Sequence, residues 1–208
     1  LLLFPVTLLA AQPVSKTIES LGLHYFPAAD AISEFSGEPP AAPVYAGKKL
    51  LGYLFITDDV VHIPGYSGAP IRTLVGFSLG GELRGLEILH HQEPILEAGV
   101  TEGELLRYLQ QYPGKPIDHR IRIGRVVRPG DIAIDGLTGA TITAMVVNEA
   151  ITASIKKVAE SRGVLKGGEP LAMEGSVPHP AAELWREIWK DRQVEIAILL
   201  VGLVVLLG

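Results

Sequence analysis

The apolar positions change period several times along the chain, and each change marks a predicted element. At residues 50–57, Leu51, Tyr53 and Phe55 alternate with Gly52, Leu54 and Ile56. Neither set is polar, so the segment reads as a strand buried on both faces. Residues 72–79 and 82–90 read as the arms of a hairpin closed by Gly80-Gly81, a two-residue turn in which both glycines tolerate positive φ. Gly85 interrupts the second arm and predicts a bulge. Thr101-Glu102-Gly103-Glu104 is a capping box, and the helix it opens turns Leu105, Leu109 and Tyr112 inward and stops near Gly114. At 117–127, Ile117, His119, Ile121 and Ile123 alternate with Asp118, Arg120 and Arg122, which predicts a half-exposed strand; Arg120, Arg122, Arg125 and Arg128 read as a solvated strand face. Helical spacing returns at Ile142, Val146, Ala150, Ile155 and Val158, giving a long helix over 141–162. Ahead of the first strand, 17–23 and 28–35 are predicted short amphipathic helices. Glu38-Pro39-Pro40-Ala41-Ala42-Pro43 reads as a stiff linker, because proline fixes its own φ and biases its predecessor towards extended conformations. The sum is an α+β domain: an antiparallel-rich sheet of four or five strands packed by the helices near 101–112 and 141–162.

Both ends break this pattern. Residues 1–12 open with the apolar run LLLFPVTLLAA, too short to span a bilayer, and are expected to be the remnant of a signal peptide or N-terminal anchor. Residues 163–182 are rich in glycine and proline and read as a second linker. Residues 183–190 are amphipathic, with Trp185 and Trp189 suited to a membrane–water interface, and 196–208 are apolar without interruption. Residues 183–208 are therefore expected to be the lead-in and first part of a transmembrane helix belonging to a longer protein. The flank sets Arg186, Lys190 and Arg192 against Glu183, Glu187, Asp191 and Glu195, with no basic excess, which points to the non-cytoplasmic side. The expected organisation is 1–12, the helical and Pro-rich segment 13–43, the domain proper 44–162, the linker 163–182 and the membrane lead 183–208.

Composition changes this picture little. The 48% hydrophobic content is raised by the two ends, and the net charge of −5 comes from acids and bases spread along the chain, so no nucleic-acid footprint is present. The absence of cysteine excludes disulfides, thiolate metal sites and iron–sulfur clusters within this stretch. No nucleophile–base pair, paired acidic residues or glycine-rich nucleotide loop is evident, so no catalytic residue is assigned.

The candidate chemistry lies at Asp135-Gly136-Leu137-Thr138-Gly139-Ala140-Thr141, immediately before the long helix. A helix N-terminus carries unpaired N–H groups and the positive end of the macrodipole, both favourable to a phosphate. Small residues at Gly139 and Ala140 leave the approach to Thr141 open. A plain N-cap by Thr138 or Thr141 is the other reading of the same residues. The run resembles the flavinylation motif of the FMN-binding domain family, Asp-x-x-(Ser/Thr)-Gly-Ala-(Thr/Ser), matching at Asp135, Thr138, Gly139, Ala140 and Thr141. A chance match is expected on the order of once in a thousand chains of this length.

The resemblance extends over residues 52–162 and implies FMN joined by a phosphoester to Thr141, placed there by a separate flavin transferase that takes it from FAD. Thr138 and Thr143 are the competing attachment points, and the family register selects Thr141. Gly65-Tyr66-Ser67-Gly68-Ala69-Pro70 is similar to the family's Gly-Tyr-(Ser/Gly)-Gly-x-(Pro/Ile) loop, which offers Gly65 and Tyr66 as flavin contacts. His91-Gln92-Glu93-Pro94 stands where members from the sodium-pumping quinone reductase and Rnf complexes carry His-x-Glu-Thr-Pro, offering His91 and Glu93. Glu93 is read as orienting His91 or contacting the ribityl hydroxyls. The His/Glu pair also looks like half a metal site, but no third ligand is near and no metal is expected. Proline directly after Glu93, the acidic helix behind it and the Glu-Leu-Trp-Arg-Glu-Ile-Trp lead are most similar to the family branch associated with nitrous oxide reductase. In that branch the flavin domain is periplasmic at the bacterial inner membrane, with further membrane helices and iron–sulfur domains following it. The expected role is electron transfer in support of nitrous oxide respiration, with nitrous oxide reductase as a partner. The alternatives are a component of an Rnf- or quinone-reductase-like complex, or a flavin-based redox sensor.

Overall fold

A computed structural model describes residues 13–124 and 129–165. Its centre is an antiparallel meander of five strands, β1 (Ala31–Ile32), β2 (Ala42–Ala46), β3 (Lys49–Ile56), β4 (Arg72–Ser78) and β5 (Leu83–His90), lying in chain order. β3 pairs with β4 so that Phe55 faces Val75 and Leu54 faces Gly76. Successive side chains of a strand point to opposite faces, and here both faces are covered. Phe55, Val75 and Phe77 point into one core, whereas Leu54, Ile56 and Leu74 point into another. This is the physical reason the β3 segment carries no polar alternation.

The second core is closed by α1 (Lys16–Tyr25), whose first turn is capped by Ser15 accepting from the Ile18 N–H. Ile18, Tyr25 and Phe26 lie on the sheet, and the Tyr25 ring presses directly on Gly85, where any Cβ would collide with it. The pairing of β4 with β5 is irregular between Gly76 and Phe77, opposite that position, in keeping with the predicted bulge. The hairpin turn differs from the expected two-residue form. Ser78 pairs with Glu82, the Gly81 N–H returns to the Ser78 carbonyl at 3.0 Å, and only Gly81 of the two glycines has positive φ, 78°. This is a three-residue loop ending in a left-handed glycine.

Two expectations for the N-terminal segment are corrected. Residues 28–35 are not a helix: Ala31 and Ile32 pair with Tyr45 and Val44 as an edge strand. A helix of that length is marginal by itself, whereas the open edge of β2 supplies partners at once, Asp30 N–H to Tyr45 O and Ser33 N–H to Pro43 O, both 2.9 Å. The Pro-rich stretch ends in sheet: Ala41 and Ala42 are fully buried and β2 begins at Ala42. Arg162 holds the turn before it, donating to the carbonyls of Ser36 and Pro39 and lying over the Tyr53 ring.

The first core is closed by α3 (Glu102–Leu109) and the long α4 (Thr141–Ser161), preceded by the short α2 (Pro94–Ala98). The capping box forms as expected, the Thr101 side chain accepting from the Glu104 N–H and Glu104 reaching back to the Thr101 N–H. The strand expected over 117–127 is three residues long, β6 (Ile121–Ile123), and pairs in parallel with β7 (Ile132–Ile134) in a sheet of its own. Arg122 makes an ion pair with Asp131, while Arg125 and Arg128 lie outside the described residues. α4 ends in a left-handed glycine, with Gly163 N–H to Glu160 O and Val164 N–H to Ala159 O. Among the described residues no helix is long and apolar enough to cross a membrane. The segments 1–12 and 183–208, on which that expectation rests, lie outside them, as does most of the linker 163–182.

Candidate functional site

β7 delivers the chain to a loop, residues 135–140, that hangs on two inward anchors. Leu137 and Ala140 are both buried, at 4% exposure, and the residues between and beside them turn outward. Gly139 adopts φ 79°, a conformation side chains rarely take, and this throws the chain into the first turn of α4. The helix N-cap is Ala140, with no side-chain cap. Neither threonine hydroxyl is used as a cap, so the reading of this run as a simple N-cap does not describe it. Thr138 and Thr141 are both exposed, and among the described residues neither side chain has a hydrogen-bond partner. The first helical bond is Ala144 N–H to Ala140 O at 3.0 Å. The N–H groups of Thr141, Ile142 and Thr143 therefore precede the ladder, as the first donors of any helix do.

Two neighbours fix this loop. The side-chain amide of Gln111, just past α3, pairs with the backbone of Asp135 on both sides: its oxygen accepts from the Asp135 N–H at 2.7 Å and its nitrogen donates to the Asp135 carbonyl at 3.1 Å. The Asp135 carboxylate itself is exposed. Behind the loop, Tyr108 donates to the Ala144 carbonyl at 2.8 Å, Tyr112 donates to Asn148 Oδ1 at 3.1 Å, and the two hydroxyls lie 2.8 Å apart. Asn148 in turn donates to the Ile121 carbonyl at 3.0 Å, so α3, α4 and β6 are tied by one buried polar chain. Burial pushes both tyrosine hydroxyls up from their ordinary pKa, keeping them neutral donors. Between α3 and the loop lies an open groove of about 540 Å³, walled by Glu104, Arg107, Gln110, Gln111, Asp135 and Thr138.

Glu93 forms the other support. It is fully buried; Oε1 accepts from the Ser67 N–H at 3.0 Å and Oε2 from the Thr143 hydroxyl at 2.9 Å. One carboxylate thus joins the 65–70 loop to the first turn of α4. That loop closes on itself through Gly65 N–H to Ala69 O at 2.8 Å, and a Cβ at Gly65 would strike the Glu93 carboxylate. The structure corrects both sequence readings of Glu93 and removes one rival of Thr141. Glu93 has no exposed surface with which to meet a ribityl chain. Its side chain does not orient His91; its backbone N–H donates to His91 Nδ1 at 3.3 Å instead. Thr143, a rival attachment point, is 2% exposed with its hydroxyl committed, which leaves Thr138 and Thr141.

Tyr66 is exposed at the loop tip and His91 is half-buried. Among the described residues no group of three or more His, Asp or Glu side chains is placed to hold a metal. Sequence reasoning missed Gln111 and Asn148, polar residues that carry no motif, and the bond that commits Thr143 to Glu93; Tyr108 and Tyr112, four apart in sequence, were the one legible signal of the buried polar chain.

The donor set fits a flavin mononucleotide: an open hydroxyl, a left-handed glycine clearing its approach and orphan N–H groups at a helix start. Comparison with known proteins bears on the same residues. The family model of the FMN-binding domain matches residues 65–156, a span that starts at the Gly65 loop and includes the whole Asp135–Thr141 run. Regulatory protein NosR of Pseudomonas aeruginosa is 36% identical over 141 residues, covering 68% of this chain and 20% of NosR. NosR of Stutzerimonas stutzeri is 30% identical over 169 residues, covering 79% of this chain and 23% of its own length. Protein NirI of Paracoccus denitrificans is 26% identical over 120 residues, covering 58% and 17%. The chain thus spans about a fifth of the length of these relatives. A crystal structure from the Na(+)-translocating NADH-quinone reductase of Parabacteroides distasonis, of one component of that enzyme, superposes with a TM-score of 0.49 at 15% identity, covering 77% of this chain and 90% of that one. The motif, the helix start it builds and the matching family model agree, and residues 65–156 belong to the FMN-binding domain family.

Proposed function

We propose that this chain is the flavin-carrying electron-transfer module of a longer membrane flavoprotein of the NosR type, with FMN esterified to Thr141 Oγ1 and the domain facing the periplasm of a bacterial inner membrane. The observation that carries the reading is the state of Thr141: exposed, without a side-chain partner among the described residues, and at the first helical position after a left-handed glycine. Esterification would form the bond from Thr141 Oγ1 to phosphorus and break the pyrophosphate of FAD, with AMP and the hydroxyl proton leaving. A separate flavin transferase would supply the chemistry. The backbone N–H groups of residues 141–143 and the Thr138 hydroxyl would hold the phosphate oxygens. Bound FMN supplies reversible electron storage, and the protein supplies tether, orientation and electrostatics. A covalent tether suits an exported carrier, because a cofactor lost outside the cytoplasm is not readily replaced.

The nitrous oxide reading is motivated by the identity to the two NosR chains, and its alternative is a component of an Rnf- or quinone-reductase-like complex. The word "regulatory" in their name favours a second reading, in which the flavin's redox state is sensed. Coexpression with a flavin transferase, denaturation and in-gel fluorescence test the attachment: wild type should glow and Thr141→Ala should be dark. A dark wild type ends the flavin reading, and a fluorescent Thr141→Ala moves the site to Thr138. In cells, Thr141→Ala should abolish electron delivery while expression of the reductase stays normal. If expression falls instead, the flavin is a sensor.

A further inference from the structure

β5 is the last strand of the meander, and only its beginning has a partner on the outer side. There the Leu83 N–H donates to the Lys115 carbonyl at 2.9 Å, and the Leu83 carbonyl accepts from the Gly114 N–H at 2.7 Å. Further along, the direction of each backbone group follows from β4. The Thr73 N–H turns away from β5 to Thr57 Oγ1, whereas the Ser78 N–H turns towards the Glu82 carbonyl. Leu74 and Gly76 therefore face β5, their partners Glu87 and Gly85 face back, and Leu86 and Ile88 aim their N–H and C=O groups outward. Among the described residues no hydrogen bond takes up any of these outward groups.

The side chains of the same stretch divide by face. Leu86 lies in the first core, and Ile88 packs against it at the margin, partly exposed. Glu87 stands opposite Leu74 on the other face, half-buried. Among the described residues its carboxylate has no hydrogen bond and no ion pair. Arg84, the only lysine or arginine of β5, is engaged with Glu82 at 3.7 Å and lies over the Phe26 ring. The Tyr25 hydroxyl feels the Glu87 charge but is itself buried without a partner. Burial, and then the negative charge of Glu102, hold the Glu87 carboxyl above its usual range, so the domain by itself leaves this acid unrelieved.

We infer that the β5 edge accepts an added strand from another protein, an extended segment in which apolar residues alternate with lysine or arginine. Its backbone pairs with Leu86 and Ile88, its apolar side chains extend the first core beside Ile88, and its cations stand across from Glu87. Charge selects this occupant over a second copy of the chain. The two-fold pairing that uses both Leu86 and Ile88 sets Glu87 directly opposite its own counterpart, where like charges repel. From Leu86 to His90, at about 3.4 Å per residue, the free edge admits a segment of roughly five residues. This edge is formed whether or not Thr141 carries FMN, so failure of one reading leaves the other standing.

The test uses the full chain, nitrogen-15 labelled, in zwitterionic-detergent micelles. It is titrated with the end-capped peptide Lys-Val-Lys-Val-Lys-Val-Lys and with its counterpart Glu-Val-Glu-Val-Glu-Val-Glu. The lysine peptide should bind saturably, shift the Leu86 and Ile88 amides and slow their exchange, while the glutamate peptide should bind about tenfold more weakly or worse. Glu87→Lys should reverse that order. Ile88→Pro removes an N–H that β4 does not use, so the sheet should persist while the lysine peptide binds less. Absence of saturable binding, or unaltered Leu86 and Ile88 amides at saturation, would overturn the added strand. So would equal binding of the two peptides, or a preference that Glu87→Lys leaves unchanged.

Discussion

Glu93 tests how the acceptor helix is held. Its buried carboxylate accepts two hydrogen bonds, from the Ser67 N–H and the Thr143 hydroxyl. A hydrogen bond to a charged group contributes about 1.5–3 kcal/mol, and a donor left unsatisfied after its acceptor is removed costs about 1–3 kcal/mol. Against this, a buried carboxylate without a cation carries a desolvation penalty that its removal relieves. The Thr143 hydroxyl can also turn back to the carbonyl one helical turn earlier, so only the Ser67 N–H stays stranded. Glu93→Ala should therefore cost about 3 kcal/mol, a large share of the roughly 5–15 kcal/mol of a typical domain. Glu93→Gln should cost about 1 kcal/mol, because the amide oxygen accepts from Ser67 while its NH2 donates to a reoriented Thr143 hydroxyl. Thr143→Val should fall between them at about 2 kcal/mol, and the double change Glu93→Ala/Thr143→Val should show coupling, since each removes the other's partner. Urea unfolding followed by tryptophan-independent far-ultraviolet dichroism gives the energies. Amide exchange gives the location: Ser67 should lose protection in Glu93→Ala well before the central strand β3 does. A Glu93→Ala loss below about 1 kcal/mol, or a Glu93→Gln loss equal to it, would show that the bridge does not hold the two segments together.

Gln111→Ala removes both bonds to the Asp135 backbone and should slow flavinylation severalfold at limiting transferase while the fold's urea midpoint moves little; equal labelling rates would show that the clasp does not position the acceptor loop. Tyr112→Phe should cost about 1–2 kcal/mol in urea unfolding, since Asn148 Oδ1 loses its buried donor. The Glu87 carboxyl is held above its usual 4.5, first by burial and then by the nearby charge of Glu102. Stability is therefore lost as pH rises from 4.5 through the raised value, and Glu87→Gln should exceed wild type at neutral pH and match it in acid, read as urea midpoints. Glu104 is held below its usual value by its bonds to the Thr101 side chain and backbone. Its contribution is present at neutral pH and lost as pH falls through the lowered value, so Glu104→Gln should lower amide protection in the first turn of α3 only above that range.

What was legible in the sequence follows from where a residue's role is local. The capping box at Thr101 and Glu104 is a three-residue relation and appears as read. The long helix after the motif keeps its period because it packs on one side over its whole length, and the doubly apolar β3 announces a sheet covered on both faces. The failures are non-local. Nothing within residues 28–35 reveals that β2 offers an open edge, so the short segment pairs there instead of coiling. Nothing near Pro40 reveals that Arg162, over a hundred residues away, grips that turn from the far end of α4.

The site shows the same division in sharper form. Thr141 and the small residues before it were legible because an open hydroxyl beside Gly139 and Ala140 is written in adjacent letters; the left-handed φ of Gly139 appears only in the structure. Glu93 was singled out for the wrong reason. A carboxylate near a histidine in a short segment invites a ligand role, yet the group it serves is a hydroxyl fifty residues on. Its burial changes what it can do: removed from water, it cannot meet a cofactor, but its two acceptor bonds gain strength in the low dielectric. That makes it suited to fixing the direction in which α4 presents its first turn. The proposed ester at Thr141 would supply no orientation of its own, because every bond between threonine and ring would rotate. Orientation would then have to come from a rigid helix start, and the Glu93 bridge is what fixes it: Glu93→Ala should raise amide exchange in the first turn of α4 while the rest of the helix stays protected, and unchanged exchange there would show that the bridge does not set its direction.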